Sequence, residues 1–258
     1  MKQVTKRWAS SLAAVTICFA AMAQTSFDKS SAESCYAGYG DNGKVTFIVK
    51  GKANFDMPAA SNAGLAAFDE ALTTLAGVKI VDGKVVFNYL PGDNYKPISA
   101  AEFNEILKTE KPSTAYTVDA SIKKIADTPK YISMRADSNT KSLASDRYDF
   151  STSECLNYNK ETGAIVDYFD VFNASAERKL REMMYPIAAK KYKLTVSHPD
   201  EIEIVQNFNI TPEGVTFVFP ESTIVAGSAG ICPQISLTWD QLRRGNTLAE
   251  GAEYFYKN

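Results

Sequence analysis

Tyr116-Thr117-Val118-Asp119-Ala120-Ser121-Ile122-Lys123 is the clearest structural signal in this chain. Tyr116, Val118, Ala120 and Ile122 alternate with Thr117, Asp119, Ser121 and Lys123. A period of two with one apolar and one polar side predicts a half-buried strand with a wet face. Such a strand belongs to an antiparallel sheet covered on one side only.

Downstream, residues 131–136 read as a partner strand, and 137–146 are polar and turn-like. Residues 147–157 and 164–169 flank Lys160-Glu161-Thr162-Gly163 as a second hairpin. Residues 174–192 are helical, with Leu180, Met183, Met184 and Ile187 on one side and Pro186 expected to kink or split the helix. Residues 202–210 and 215–219 flank Pro212-Glu213-Gly214 as a third hairpin. Further strands are expected at 222–225 and 234–237, and a closing helix at 239–244.

Upstream, Pro112 marks a loop at 109–113. Ser99-Ala100-Ala101-Glu102 is a capping box that opens a short helix buried through Phe103, Ile106 and Leu107. Residues 78–90 read as a hairpin around Asp82-Gly83, a pair suited to the positive φ angles of a type I′ turn. Leu65, Phe68, Leu72 and Leu75 fall on one helical face over 63–76, with Ser61 or Asn62 to cap it and Gly77 to end it. Residues 45–49 read as a strand. Hairpins outnumber strand–helix–strand crossovers, so the class is α+β: a twisted, mainly antiparallel sheet packed against two or three helices. The long helix is expected to cover a sheet formed around residues 115–170 and 203–237. The division expected is a signal peptide at 1–23, a disordered leader at 24–34, an N-terminal segment or subdomain at 35–112, and a C-terminal domain at 113–258.

The first segment is an address. Lys2, Lys6 and Arg7 precede an uncharged run ending Ala21-Met22-Ala23, which predicts export and cleavage between Ala23 and Gln24. The run is too short for a membrane span. Bulky Ile17 before Cys18 speaks against acylation there. No second long apolar segment follows, so stable membrane insertion after cleavage is not expected. The destination is periplasmic or extracellular. Removing three of the 28 basic residues leaves 25 against 30 acidic ones, net −5. That balance gives no basic surplus for nucleic acid.

The residues offer little catalytic chemistry. One histidine, His198, sits in a loop before Pro199 and Asp200. Gly227-Ser228-Ala229-Gly230 lacks the spacing of a nucleophile elbow and joins two predicted strands. Asp69/Glu70 and Glu201/Glu203 are the acidic pairs that a two-carboxylate glycan hydrolase would need facing each other across a cleft. Asp167 and Asp170 lack the further oxygen ligands of a calcium loop. There is no phosphate-binding loop, dinucleotide fingerprint or C-x-x-C pair. No cofactor, metal or catalytic residue is assigned. After export, Cys35, Cys155 and Cys232 meet an oxidising compartment. Three cysteines permit one bridge in three ways, and Cys155 with Cys232 is favoured because both lie in the sheet-rich half. The aromatic tail Tyr254-Phe255-Tyr256 is expected to pack against the domain.

Asn207-Phe208-Asn209-Ile210-Thr211-Pro212-Glu213-Gly214-Val215-Thr216-Phe217-Val218-Phe219, followed by Ile235-Ser236-Leu237-Thr238-Trp239-Asp240-Gln241-Leu242, resembles the C-terminal domain of RsiV-type anti-sigma factors. Tyr158-Asn159, Thr162-Gly163 and Asp170-Val171-Phe172 extend the likeness, which covers roughly residues 115–245. This domain, largely of unknown function, also occurs beside PdaC-type deacetylases. Where the family commonly carries Gly-Gly-Ala-His, this chain has Ser142-Leu143-Ala144-Ser145. The resemblance implies a non-catalytic, envelope-facing binding module with peptidoglycan or a lysozyme-like protein as ligand. The alternatives are the carboxylate hydrolase and a purely structural envelope protein.

Overall fold

A computed structural model describes residues 25–90, 94–143, 150–225 and 231–257. The expected leader 1–23, its cleavage point at Ala23 and Gln24, and the 227–230 loop lie outside these residues. The class is as expected: α+β with a large, mostly antiparallel sheet.

The first half supplies β1 (Phe27–Tyr39), β2 (Val45–Pro58), α1 (Ala63–Leu75), β3 (Val78–Val81), β4 (Lys84–Phe87), β5 (Tyr95–Ile98) and α2 (Ala100–Thr109). Then come β6 (Thr114–Asp127), β7 (Tyr131–Ser142), β8 (Phe150–Asn159), β9 (Ala164–Ile165), α3 (Tyr168–Val171) and α4 (Ala176–Lys191). The chain closes with β10 (Phe208–Thr211), β11 (Gly214–Val218), β12 (Gln234–Thr238) and α5 (Trp239–Arg244). Seven strands form one sheet in the order β5-β1-β2-β6-β7-β8-β9, and β10-β11-β12 and β3-β4 make two smaller ones. Only β2 and β6 run parallel in the large sheet, joined by the crossover that contains α1 and α2. The large sheet therefore takes strands from both sides of Pro112.

The alternation in β6 sets the layers. Ala120 and Ile122 join Ala53, Phe55, Met134 and Ala136 beneath Leu65, Phe68 and Leu72 of α1. Burying each of these large helix residues contributes about 1.5–3 kcal/mol. Asn62 caps α1 by accepting the Leu65 N–H, and Ser99 and Glu102 close the capping box of α2. Asp82 and Gly83 take the positive φ angles of the predicted turn. The β3-β4 hairpin lies so close on the sheet that a Cβ at Gly51 would stand 2.5 Å from the Phe87 ring.

Several expectations are corrected. Residues 27–34, expected in a disordered leader, form the first half of β1. Their polar side chains fit because one face of the strand is wet and the other needs only Ala32 and Ser34, whose Oγ accepts the Val85 N–H. Polar residues 137–142 extend β7 for the same reason. Helix α4 runs unbroken through Pro186, because Ala176, Leu180, Met184 and Ala188 form a continuous buried stripe on either side of it. It packs on β12 of the small sheet, so the two regions expected in one sheet form two. Residues 202–207 and 222–225 are not strands; the first follow a 3-10 turn at Pro199–Glu201 without regular structure, and Val225 makes an isolated bridge to Leu194. The second hairpin shortens to β9, because Tyr168 and Phe169 turn into α3. Among the described residues no helix is long and apolar enough to cross a membrane.

The two sheets are joined by side-chain amides. The Asn207 Oδ1 accepts the Cys155 N–H at 2.7 Å, and its Nδ2 donates to the Ser153 and Val218 carbonyls. Asn157 donates to the Phe208 carbonyl at 2.8 Å and accepts the Ile210 N–H at 2.9 Å. Asn209 donates to the Ser133 hydroxyl and to the Met134 carbonyl at 2.8 Å, opposite the β-bulge in β6. Asn157 and Asn209 are 3% and 1% exposed, so their partners have no water to fall back on. Asn209→Ala is expected to cost about 2–3 kcal/mol, the scale of buried polar groups left unpaired. Thermal unfolding should show a melting temperature lower by about 5–10 °C, while Asn54→Ala, on the exposed face, should shift it by less than about 2 °C. Equal shifts would mean that the amide join contributes nothing special.

Candidate functional site

The wet face of the large sheet carries a polar array. Strand register aligns Glu33, Lys52, Asp119, Asn139 and Ser151 in one row across β1, β2, β6, β7 and β8. The next row is Ser31, Asn54, Ser121, Asp137 and Ser153. Both rows start exposed at β1 and end buried at β8, where residues 231–234 overhang the sheet. A cleft of about 270 Å³ opens there, lined among others by Ser121, Lys123, Asp137, Asn139, Ser153 and Cys232.

Asp137 organises the cleft. Its Oδ1 accepts the Ser153 hydroxyl at 2.6 Å and lies 3.2 Å from the Arg135 Nε, while Oδ2 pairs with Lys123 at 3.1 Å. Ser151 donates to the Asn139 Oδ1 at 2.7 Å, which leaves the Asn139 N–H groups without a protein acceptor among the described residues. The carboxylate is committed to two cations and fixes the direction of the Ser153 hydroxyl. The cleft offers held donors from Lys123 and Asn139 and an acceptor in Asp137. That combination suits a ligand rich in hydroxyl and carbonyl groups.

The residues singled out from sequence lie elsewhere. His198 is exposed at the 3-10 turn. Asp69 and Glu70 are successive residues of α1 and diverge by about 100° around its axis. Glu201 accepts the Ser197 N–H, and Glu203 is exposed. Asp170 accepts the Asp167 N–H and caps α3. Met184 is buried core, and Phe255 packs on Tyr131 while Tyr256 stacks on Trp239. No group of three or more His, Cys, Asp or Glu residues suited to a metal occurs among the described residues.

Cys35 is buried in β1 against α2, not in a leader. Cys155 and Cys232 both reach the cleft end of the sheet, as separate thiols. Cys155 donates to the Asn209 Oδ1 at 3.1 Å and Cys232 to the Ser151 carbonyl at 3.7 Å. The residues missed from sequence are Lys123, Asp137, Asn139, Ser151 and Ser153. The wet side of the Tyr116–Lys123 alternation was the available signal, since that side must carry whatever the sheet presents.

A family model described as a protein of unknown function (DUF3298) matches residues 160–240, from the β8–β9 turn to the start of α5. Two crystal structures of DUF3298-family proteins share the architecture. One, from Bacteroides fragilis, is 10% identical with a TM-score of 0.56, over 90% of this chain and 97% of its own. The other, from Pseudomonas aeruginosa, is 12% identical with a TM-score of 0.56, over 92% of this chain and 99% of its own. At such identities the likeness is one of fold. No curated protein matches the chain.

Two measurements follow from this geometry. Burial pushes both cleft thiols up, Cys155 much further than Cys232. Iodoacetamide at pH 8 should therefore label Cys232 faster than Cys155; a Cys155–Cys232 disulfide in a non-reducing peptide map would contradict separate thiols. Burial also raises the Asp69 carboxyl from 3.8 to about 6. Between those values the folded chain holds a proton that the unfolded chain has lost, so stability falls as pH rises through this window. Asp69→Asn should raise the melting temperature at pH 7.5 and leave it unchanged near pH 4. An equal gain at both would remove the linkage.

Proposed function

We propose that the chain is an exported, non-catalytic binding module of the cell envelope, and that the Ser121–Lys123–Asp137–Asn139 cleft takes a polar glycan such as peptidoglycan. The observation that carries this is the row of polar side chains running from open sheet into the overhang, with Asp137 fixed by Lys123, Arg135 and Ser153. Saccharide hydroxyls and acetamido groups are the complement of such alternating donors and acceptors. Export rests on the charged start, uncharged run and Ala21-Met22-Ala23. The RsiV-type resemblance over residues 115–245 supports an envelope role, and the family match at 160–240 falls inside it.

A lysozyme-like protein is the second reading, favoured by a net charge of −5 after leader removal, which would attract a basic partner. Binding is preferred over two-carboxylate hydrolysis because the acidic pairs named from sequence diverge or cap backbone groups instead of facing a cleft.

Sedimentation of the mature protein with purified peptidoglycan, and capture on immobilised lysozyme, each at 50 and 500 mM salt, test the assignment. Salt-resistant retention on peptidoglycan, lowered at least about fivefold by Lys123→Ala with Asn139→Ala, is the expected result. A fivefold change corresponds to about 1 kcal/mol, the worth of one or two hydrogen bonds. Salt-sensitive capture by lysozyme alone would move the function to the protein partner. Retention by neither would leave a structural envelope role.

A further inference from the structure

A second cleft, remote from the polar array, lies where three parts of the chain converge. The β6–β7 turn contributes Thr128 and Lys130, β7 contributes Tyr131, the β10–β11 turn Pro212, and the C-terminal segment Phe255, Tyr256 and Lys257. Its volume is about 340 Å³, within the range of small-molecule sites. Its body is aromatic and apolar. Tyr131 and Phe255 meet edge to face at 6.1 Å, and Tyr256 is held flat by stacking on Trp239 at 5.1 Å.

The rim is cationic and fixed. Lys130 donates to the Lys257 carbonyl and lies 5.5 Å from the centre of the Tyr254 ring, whose hydroxyl in turn donates to the Lys130 carbonyl. Among the described residues neither Lys130 nor Lys257 is in an ion pair. The nearby carboxylate of Asp127 is already taken by Lys160 at 2.6 Å. Glu213, beside Pro212, acts on the Tyr131 hydroxyl through its charge.

An independent observation comes from Tyr131. The residue is 1% exposed, and its hydroxyl is buried with no hydrogen-bond partner. Burial keeps that hydroxyl protonated well beyond the usual tyrosine range, so it is a permanent donor without an acceptor. Buried tyrosine hydroxyls ordinarily find a partner. An unpaired donor on a residue lining an apolar cleft, beside two lysines that make no ion pair among the described residues, is an arrangement that an anionic ligand would complete.

The geometry points to this cleft as a binding site for a small monocarboxylate with a flat apolar body, the ring lying against Phe255 and Tyr256 and the carboxylate meeting Lys130, Lys257 and the Tyr131 hydroxyl. The apolar part is stabilised by leaving water, and the carboxylate selects for charge by meeting cations that make no ion pair among the described residues. The site is separate from the glycan cleft, so the two readings stand or fall independently.

Trp239 reports on the site directly, through its stack with Tyr256, and it is the sole tryptophan once residues 1–23 are removed. The mature protein is titrated with 3-phenylpropionate and, separately, with the uncharged 3-phenylpropionamide, following tryptophan emission. The expected result is saturable quenching by the acid and at least tenfold weaker binding of the amide. Lys130→Ala with Lys257→Ala should lower affinity for the acid about tenfold while circular dichroism and melting temperature stay those of the parent. Should that variant misfold, Lys257→Ala alone, changed at an exposed position, should still weaken the acid about threefold. Absence of saturation by 10 mM acid, equal binding of acid and amide, or parental affinity in a folded lysine variant would each overturn the assignment.

Discussion

The outer edge of β8 is the constraint on which the architecture depends. Residues Ser151, Ser153, Cys155 and Asn157 turn their main-chain groups away from β7, and β9 pairs with β8 only at Tyr158 and Asn159. An unpaired edge of that length, once covered, would strand buried N–H and C=O groups. Side chains close it: Asn207 takes the Cys155 N–H and the Ser153 carbonyl, and Glu221 takes the Ser151 N–H at 2.8 Å. A primary amide presents a donor and an acceptor at nearly the spacing of a peptide group, so Asn207 stands in for a strand that is not there.

Closing the edge with side chains instead of a strand frees the small sheet to lie over the face of the large one. Asn157 and Asn209 then fix β10 in place, β11 and β12 follow from antiparallel pairing, and residues 231–234 are carried over the polar rows. The cleft around Asp137 is therefore a product of the join. Its floor belongs to β6, β7 and β8, its roof to the segment leading into β12, and neither part encloses it alone. The second cleft has the same origin, because the turn before β7 meets Pro212 and the C-terminal segment along the same seam.

What could be read from sequence follows the same physics. Helix α1, the Asp82-Gly83 hairpin, the Ser99 capping box and the alternation in β6 were all legible, because each is specified by local chemistry: a stripe at helical spacing, a positive φ pair, a cap, a period of two. Strand β1 was not legible, since its buried face at Ala32 and Ser34 is small and its other face is charged, a composition shared with loops. The separation into two sheets was hidden for a different reason. Phe208 and Ile210 advertise a strand, but Asn207 and Asn209 declare their role only when Ser133, Met134, Cys155 and Asn157 are beside them. The polar rows were half visible: the wet side of β6 was evident, and its alignment with β7 and β8 needed the register.

The chemistry of the join also bears on how such a fold tolerates divergence. The family match at residues 160–240 contains Asn207 and Asn209 but none of the large-sheet groups they bind, all of which precede residue 160. The hydrogen-bond partners of the Asn207 side chain are all main chain: the Cys155 N–H and the Ser153 and Val218 carbonyls. The Asn209 contact to Met134 is to a carbonyl as well. Main-chain partners are supplied by any sequence that makes the strand, so these contacts tolerate drift opposite them, whereas the Asn157 amide and the Asn209 bonds to the Ser133 hydroxyl and the Cys155 thiol depend on particular side chains of the large sheet. Two solved structures cover 90% and 92% of this chain at only 10% and 12% identity, with the architecture retained. A seam held in part through backbone groups is compatible with that combination, whereas one held only by matched side-chain pairs would require both surfaces to change together. The side chains of Ser121, Lys123 and Asn139 that line the floor of the Asp137 cleft take no part in the join, so the join places no demand on their identity.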